Sequence, residues 1–311
     1  MLKDKELKKW LDENNQLNKE NLNVVSNEIS VLFSDNSQVT ESFERYKNTT
    51  KYVHSFFKNL GLDYCCIKAL RVYSHFNTDL NIAVRKDDFN NIIQFLEEDG
   101  WSRRSRWSQF KENIAEHGKR KLVCNKGRHL SEIHLYPGLS WHGFEYTSPD
   151  DVLINREETT FFNNQVYNTN KSLDLISNIG HALFERYKVT SGEAFHLITL
   201  FNECTNDEIR LAEKLTKKNG WGNSFILMKG FINSLSNQPT NTFPILINRK
   251  ILWSAWAERF IFQIRNFRLF SAFIELAFNI IWSGPIYKLY SILKKIFTGK
   301  TGIEKKYGDL E

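Results

Sequence analysis

Apolar residues in the first sixty positions recur at helical spacing, with Val24, Val25, Ile29, Leu32 and Phe33 on one stripe. A second stripe runs through Phe43, Tyr46, Tyr52, Val53, Phe56 and Phe57 and stops at Gly61, a residue suited to a helix C-terminus. At Asp63 the period changes. Tyr64-Cys65-Cys66-Ile67 is a short β-prone run, and Leu80-Asn81-Ile82-Ala83-Val84 alternates as a half-buried strand does, so two neighbouring strands are expected. Asp87 and Asp88 then open a helix whose Phe89, Ile92, Ile93 and Leu96 share a face and which Gly100 ends. Lys121-Leu122-Val123-Cys124 and Glu132-Ile133-His134-Leu135-Tyr136 predict two further strands around the turn Asn125-Lys126-Gly127-Arg128. The expected order is β-β-α-β-β.

Past the turn at Pro149 the helical pattern returns in Leu173, Ile176, Ile179, Leu183 and Tyr187, and again through Ala194, Leu197, Leu200 and Phe201. Ser234 to Pro244 carries Asn, Gln, Thr and two prolines and is the best linker candidate. This predicts an α+β protein: a helical flank over 1–60, an α/β core over 61–150, a helical domain over 151–235, and a basic aromatic tail over 236–311. The sequence shows no internal repeat.

Within the tail, Leu269 to Tyr287 approaches the length of a membrane span, but Glu275, Asn279, Gly284 and Pro285 interrupt it and basic residues flank both sides. Beyond Pro285, residues Ile286, Leu289, Tyr290, Leu293, Ile296 and Phe297 fall on one helical face, and Lys288, Ser291, Lys294 and Lys295 on the other. That is the form of a helix lying on an anionic membrane surface, and equally of one packed on its own helical layer. Charge sharpens the first reading. The net charge is +6 and the pI near 9.0, which suits nucleic acid, a phosphorylated ligand or an anionic membrane, and much of the excess lies between Lys250 and Lys300. No apolar run follows Met1, so a cytoplasmic protein, peripheral on the membrane's inner face, is expected. Cys65, Cys66, Cys124 and Cys204 show no CxxC pairing and no zinc-finger histidine, which leaves them as reduced core residues.

Candidate chemistry centres on carboxylates at strand starts. Residues i and i+2 of a strand share a face, so Asp79 and Asn81 stand side by side, and Glu132 on an adjacent strand can join them around Mg²⁺. The plainer alternatives are a strand entering from the turn Asn77-Thr78-Asp79, and an edge strand whose wet face carries Glu132 and His134. His181 reads as a hydrogen-bonded helix residue or as a ligand. The cluster of Trp101, Arg103, Arg104, Arg106 and Trp107 reads either as a phosphate or base contact or as a solvated strand edge.

Five segments carry a family resemblance in order: Cys66-Ile67-Lys68-Ala69, Thr78 to Val84, Ser131-Glu132-Ile133-His134, Ser140-Trp141-His142-Gly143, and Asn178-Ile179-Gly180-His181-Ala182. Together they resemble the family of uncharacterised archaeal and bacterial nucleotidyltransferases, within the DNA polymerase beta-like superfamily, over roughly residues 63–201. The resemblance implies a small mixed sheet of nucleotidyltransferase type, with Mg²⁺ as cofactor and a nucleoside triphosphate as substrate. It implies Asp79 as first metal ligand, Asn81 in the second ligand's place and Glu132 as third, with Lys68, His134 and His142 around the nucleotide phosphates. Asn81 is neutral where that family has a carboxylate, and Ala69 with Leu70 replaces the small or Gly-containing stretch that often precedes the pair. Two functions are expected from this. One is nucleotide transfer to a hydroxyl or phosphate of a glycan, nucleic acid or protein. The other is a catalytically weakened binding protein at the membrane, linked to surface-polysaccharide synthesis.

Overall fold

The computed structural model describes residues 37–69, 71–72, 79–103, 119–124, 130–141, 144–161, 163–236 and 245–266, with a few isolated positions near either end. The expected stripe from Val24 to Phe33, the turn Asn125 to Arg128, His142 and the tail helix 286–297 lie outside them. The chain divides into two compact units, Met1–Arg259 and Phe260–Glu311.

In the first unit, α1 (Ser37–Leu60) leads through Gly61, whose φ of 65° suits a residue without Cβ, into β1 (Tyr64–Cys66) and then β2 (Asp79–Val84). Next come α2 (Phe89–Glu98), β3 (Trp101–Arg103), β4 (Arg120–Cys124), β5 (Glu132–Tyr136) and the hairpin β6 (Leu139–Trp141) with β7 (Phe144–Thr147). A short α3 (Pro149–Ile154) precedes a second hairpin, β8 (Arg156–Phe161) with β9 (Asn164–Thr169). The helical layer comprises α4 (Lys171–Gly180), which passes into a π-helical turn (His181–Arg186), then α5 (Ser191–Glu203), α6 (Asn206–Lys218) and α7 (Gly222–Ser236). Short strands β10 (Lys188–Val189) and β11 (Ile245–Leu246) pair between them, and α8 (Arg249–Arg265) closes the described chain.

Seven strands form one mixed sheet in the order β3-β4-β5-β2-β1-β9-β8. The four strands expected from the alternation are all present, with β1 and β2 paired antiparallel as neighbours. Three more join them. β3 forms an edge with Trp101 buried, and β8 and β9 extend the sheet beyond β1, where the hydrophobic pattern gives no strand signal. The reason is composition: β8 reads Arg-Glu-Glu-Thr-Thr-Phe, with none of the six buried, as suits an edge strand with little core to cover.

Alternation along β2 sorts its side chains between two faces. Leu80, Ile82 and Val84 join Ile133 and Leu135 of β5 and Leu122 of β4 in the main core. That face is covered by Tyr46, Val53 and Phe57 of α1 and by Phe89, Ile92, Ile93 and Leu96 of α2. The opposite face keeps the polar residues. On the helical side, Asn170 caps α4 by accepting from Leu173 N–H at 3.0 Å, and Thr190 with Glu193 forms a capping box at the start of α5. Among the described residues no helix is long and apolar enough to cross a membrane.

Candidate functional site

β2 and β5 run parallel, with Asp79 opposite Glu132, Asn81 opposite His134 and Ala83 opposite Tyr136. Opposed residues of paired strands point to the same face, so the sheet itself gathers Asp79, Asn81, Glu132, His134 and Tyr136. The two carboxylates keep access to solvent, their side chains being 26% and 15% exposed, whereas Asn81, His134 and Tyr136 form a buried floor.

Hydrogen bonding fixes that floor. Asp79 Oδ1, which as a carboxylate can only accept, takes a 2.8 Å bond from Asn81 Nδ2. The other end of the amide, Oδ1, accepts from the Tyr136 hydroxyl at 2.8 Å. Asn81 therefore presents its nitrogen to Asp79, and ligation of a cation beside Asp79 through the amide oxygen requires the amide to turn over. His134 lies between the acids, with Nδ1 3.6 Å from Asp79 Oδ1 and Nε2 3.2 Å from Glu132 Oε1. Burial, the largest influence, pulls its pKa below the ordinary value against the attraction of Asp79.

Cations border this face. Lys68 comes just after β1 with a left-handed φ of 54°, a conformation that costs a side-chain-bearing residue about 1–2 kcal/mol. Its ammonium pKa is lowered by burial, against the pull of Glu185 and Asp79 in the other direction. Lys119, buried just before β4, sets its ammonium 4.8 Å from the centroid of the Tyr136 ring.

Beyond the lysines stands a second charged group carried by the π-helical turn and α5. His181 Nε2 is 3.0 Å from Glu185 Oε2, His181 Nδ1 is 3.7 Å from Glu193 Oε1, and Arg186 bonds Glu193 at 3.1 Å. Burial opposes ionisation of both glutamates. His181 and Lys68 outweigh it at Glu185, and His181 with Arg186 at Glu193, so both carboxyls sit well below the usual range. His181 is thus a hydrogen-bonded helix residue with two acidic partners.

Of the residues expected from the sequence, Asp79, Asn81, Glu132 and His134 share one sheet face, with Lys68 at its border. His142 lies outside the described residues, as does the side chain of Trp141. In the basic cluster, Trp101 is core and Arg103 pairs with Glu97 at 2.6 Å, while Arg104, Arg106 and Trp107 lie outside the described residues. Tyr136, Lys119 and Glu185 escaped the sequence reading. Only the His181/Glu185 spacing of one helical turn could have signalled any of them.

Two carboxylates on one face, with a neutral amide beside Asp79, suit a hard divalent cation such as Mg²⁺, which typically takes one or two protein carboxylates and completes its shell with water and substrate phosphates. The donor set fits that mode and not an all-protein cage, since no three His, Cys, Asp or Glu side chains converge on a metal position among the described residues.

No protein-family profile matches the sequence, and no curated protein does. Among solved structures the chain is similar to the lincosamide antibiotic adenylyltransferase LnuA in its lincomycin-bound crystal structure. The match has 15% identity and a TM-score of 0.34, covering 49% of this chain and 94% of that one.

Proposed function

We propose that this protein binds a nucleoside triphosphate with Mg²⁺ on the polar face of β2 and β5 and transfers its nucleotide to a hydroxyl or phosphate acceptor. The observation that carries the reading is the parallel register that sets Asp79 opposite Glu132, with their accessible carboxylates over a hydrogen-bonded floor. Asp79 and Glu132 would hold the cation, with the Asn81 amide oxygen as a further donor. Lys68 and Lys119 bind phosphate oxygens, offsetting charge that would otherwise repel the two acids. His134, kept neutral by burial, spaces the carboxylates without supplying a competing positive charge. A bound Mg²⁺ would supply charge neutralisation for the triphosphate and acidify the acceptor hydroxyl. The acceptor oxygen bonds to the α-phosphorus, the bond to the β-phosphate oxygen breaks, pyrophosphate leaves, and the acceptor's proton passes to solvent. His142 belongs to the phosphate contacts of this reading.

The contact between the Asn81 amide and Asp79 favours a second reading, a protein that binds the nucleotide without turnover. Calorimetry with each Mg²⁺–NTP, then a pyrophosphate-release assay with candidate acceptors, separates the two. Asp79→Ala should abolish Mg²⁺-dependent binding while leaving circular dichroism unchanged and lowering the melt only by the lost Asn81 bond, about 1–3 kcal/mol, because Asp79 is a partly exposed residue at a strand mouth. Undiminished affinity in the folded variant would remove the site from this face.

The basic and apolar positions of 286–297, spaced as an amphipathic helix would need them, support an anionic membrane surface as a further partner in this reading. Lys288, Lys294 and Lys295 replaced together by Gln should weaken co-sedimentation with anionic liposomes by about two orders of magnitude at low salt, at roughly 1 kcal/mol per residue. Equal sedimentation of parent and variant would refute it.

A further inference from the structure

Behind the segment that carries Lys68, the helical layer buries a branched hydrogen-bond network that the proposed chemistry does not use. Its root is Asp174 on α4, 7% exposed. Asp174 Oδ1 accepts from Asn178 Nδ2 at 2.7 Å, and Asp174 Oδ2 lies 2.9 Å from His196 Nε2 on α5. Each branch ends on the segment after β1. Asn178 Oδ1 accepts from the Arg71 guanidinium at 2.5 Å, and His196 Nδ1 accepts from the backbone N–H of Val72 at 3.3 Å.

The direction of these bonds is set by one residue. Asp174 takes Asn178 Nδ2 on both its carboxylate, at 2.7 Å, and its backbone carbonyl, at 2.8 Å, which turns the amide NH₂ toward it, and its other carboxylate oxygen takes His196 Nε2–H. The opposite atom of each side chain, an amide oxygen and a bare ring nitrogen, is then an acceptor aimed at the two donors on Arg71 and Val72. With Asn178 2% exposed and His196 1% exposed, water cannot substitute for a wrongly directed bond.

We propose that Asp174, through Asn178 and His196, is a positioning residue for the phosphate-binding segment Lys68–Val72, fixing amide orientation and imidazole tautomer so that Arg71 and Val72 are gripped and Lys68 is held in its left-handed turn beside Asp79. This rests on Lys68 as a phosphate contact. The grip is anchored in helices distant in sequence, and it offsets the cost of the strained backbone at Lys68.

The test uses pairs of substitutions that differ only in where a hydrogen-bonding atom is placed. His196→Asn sets an amide oxygen where Nδ1 was and keeps an acceptor for Val72 N–H. His196→Gln sets its amide at the Nε2 position, keeps the bond to Asp174 and leaves Val72 N–H without its acceptor. Asp174→Asn preserves shape but puts a donor against one of two donors. Two readouts are taken on the full-length protein: hydrogen exchange at the Val72 amide, and Mg²⁺–ATP affinity by calorimetry. Both should worsen by about tenfold in His196→Gln and in Asp174→Asn, the usual net worth of one hydrogen bond. His196→Asn should stay within about twofold of the parent in both.

A purely architectural network predicts instead that the two His196 variants behave alike, and that result overturns the proposal. Equal Mg²⁺–ATP affinity in parent and His196→Gln overturns it as well. If the parent itself binds no Mg²⁺–ATP, the nucleotide reading fails on its own. The exchange arm still decides the grip, and uniform Val72 exchange across all variants refutes it.

Discussion

Replacing Asn81 by Asp changes an amide into a carboxylate of the same shape at a position whose nitrogen donates to Asp79 at 2.8 Å. Without a cation the substitution removes that bond and sets two like charges together where residue 81 is 7% exposed, a loss of about 1–3 kcal/mol. With Mg²⁺ the same pair becomes two ligands. Asn81→Asp should therefore melt below the parent in EDTA and gain more from Mg²⁺ titration than the parent does. Equal Mg²⁺ responses would show that residue 81 does not face the cation. The side chains of this face were legible to different degrees, for a geometric reason. Asp79, Asn81, Glu132 and His134 could be read because strand alternation fixes which residues share a face, and two adjacent strands needed only to pair. Lys119 and Glu185 could not, since they arrive from a strand approach and a π-helical turn, with no local spacing to tie them to Asp79. Tyr136 lay within a recognised strand, but its alternation marks it equally as core.

The junction of α4 with the π-helical turn shows how an element delivers its residues. A π turn carries an extra residue against an α-helix, which rotates the side chains beyond it about the helix axis. His181 and Glu185, four residues apart, meet at 3.0 Å as an ordinary helical pair would, and Arg186 beside them turns to Glu193. Gly180, just before the turn, lets α4 lie against β7: a Cβ there would stand 3.0 Å from Tyr146 Cδ2 and 3.2 Å from Cγ. The Tyr146 ring is 2% exposed and its carbonyl accepts from Trp221 Nε1 at 3.0 Å, so it has little freedom to retreat. Gly180→Ala gains about 1 kcal/mol of helix propensity and loses about 1–3 kcal/mol to overpacking. A lower urea midpoint at unchanged m is the expected net result, and a raised midpoint would show that the ring yields. The helix itself was visible in the spacing of Leu173, Ile176 and Ile179, whereas the π turn was not, because hydrophobic periodicity does not register one inserted residue.

Across the described part of the first unit, the layers derive from alternation, but the strand order does not. β1 pairs with β2 through a local return and with β9 a hundred residues later, where Cys66 meets Asn168, and no local pattern encodes that parallel contact. The same long-range packing governs the response to acid. His54 and His134 are both lowered from 6.5, chiefly by burial, so as pH falls below about 6.5 the unfolded chain takes up protons before the folded one and stability declines. Glu193, Glu185 and Asp63 are depressed, so their contribution is complete above the unfolded carboxylate values, near 4.5 and 3.8, and is lost as pH falls from there toward the folded ones. Both shifts act in one direction, and the free energy of unfolding should be flat between about pH 7 and 8, fall gently to about pH 5, then steeply, and fall again above about pH 9, where the unfolded thiols ionise while burial keeps Cys65 and Cys66 protonated. Urea titrations at half-unit steps give the profile. Each histidine accounts for at most about 1.4 kcal/mol per pH unit, so His134→Asn should flatten the upper stage and leave the lower one in place. Stability that instead rises as pH drops below about 6.5 in the parent, and does so only with His134 present, would mean that Asp79 and Glu132 outweigh burial and hold the imidazole charged.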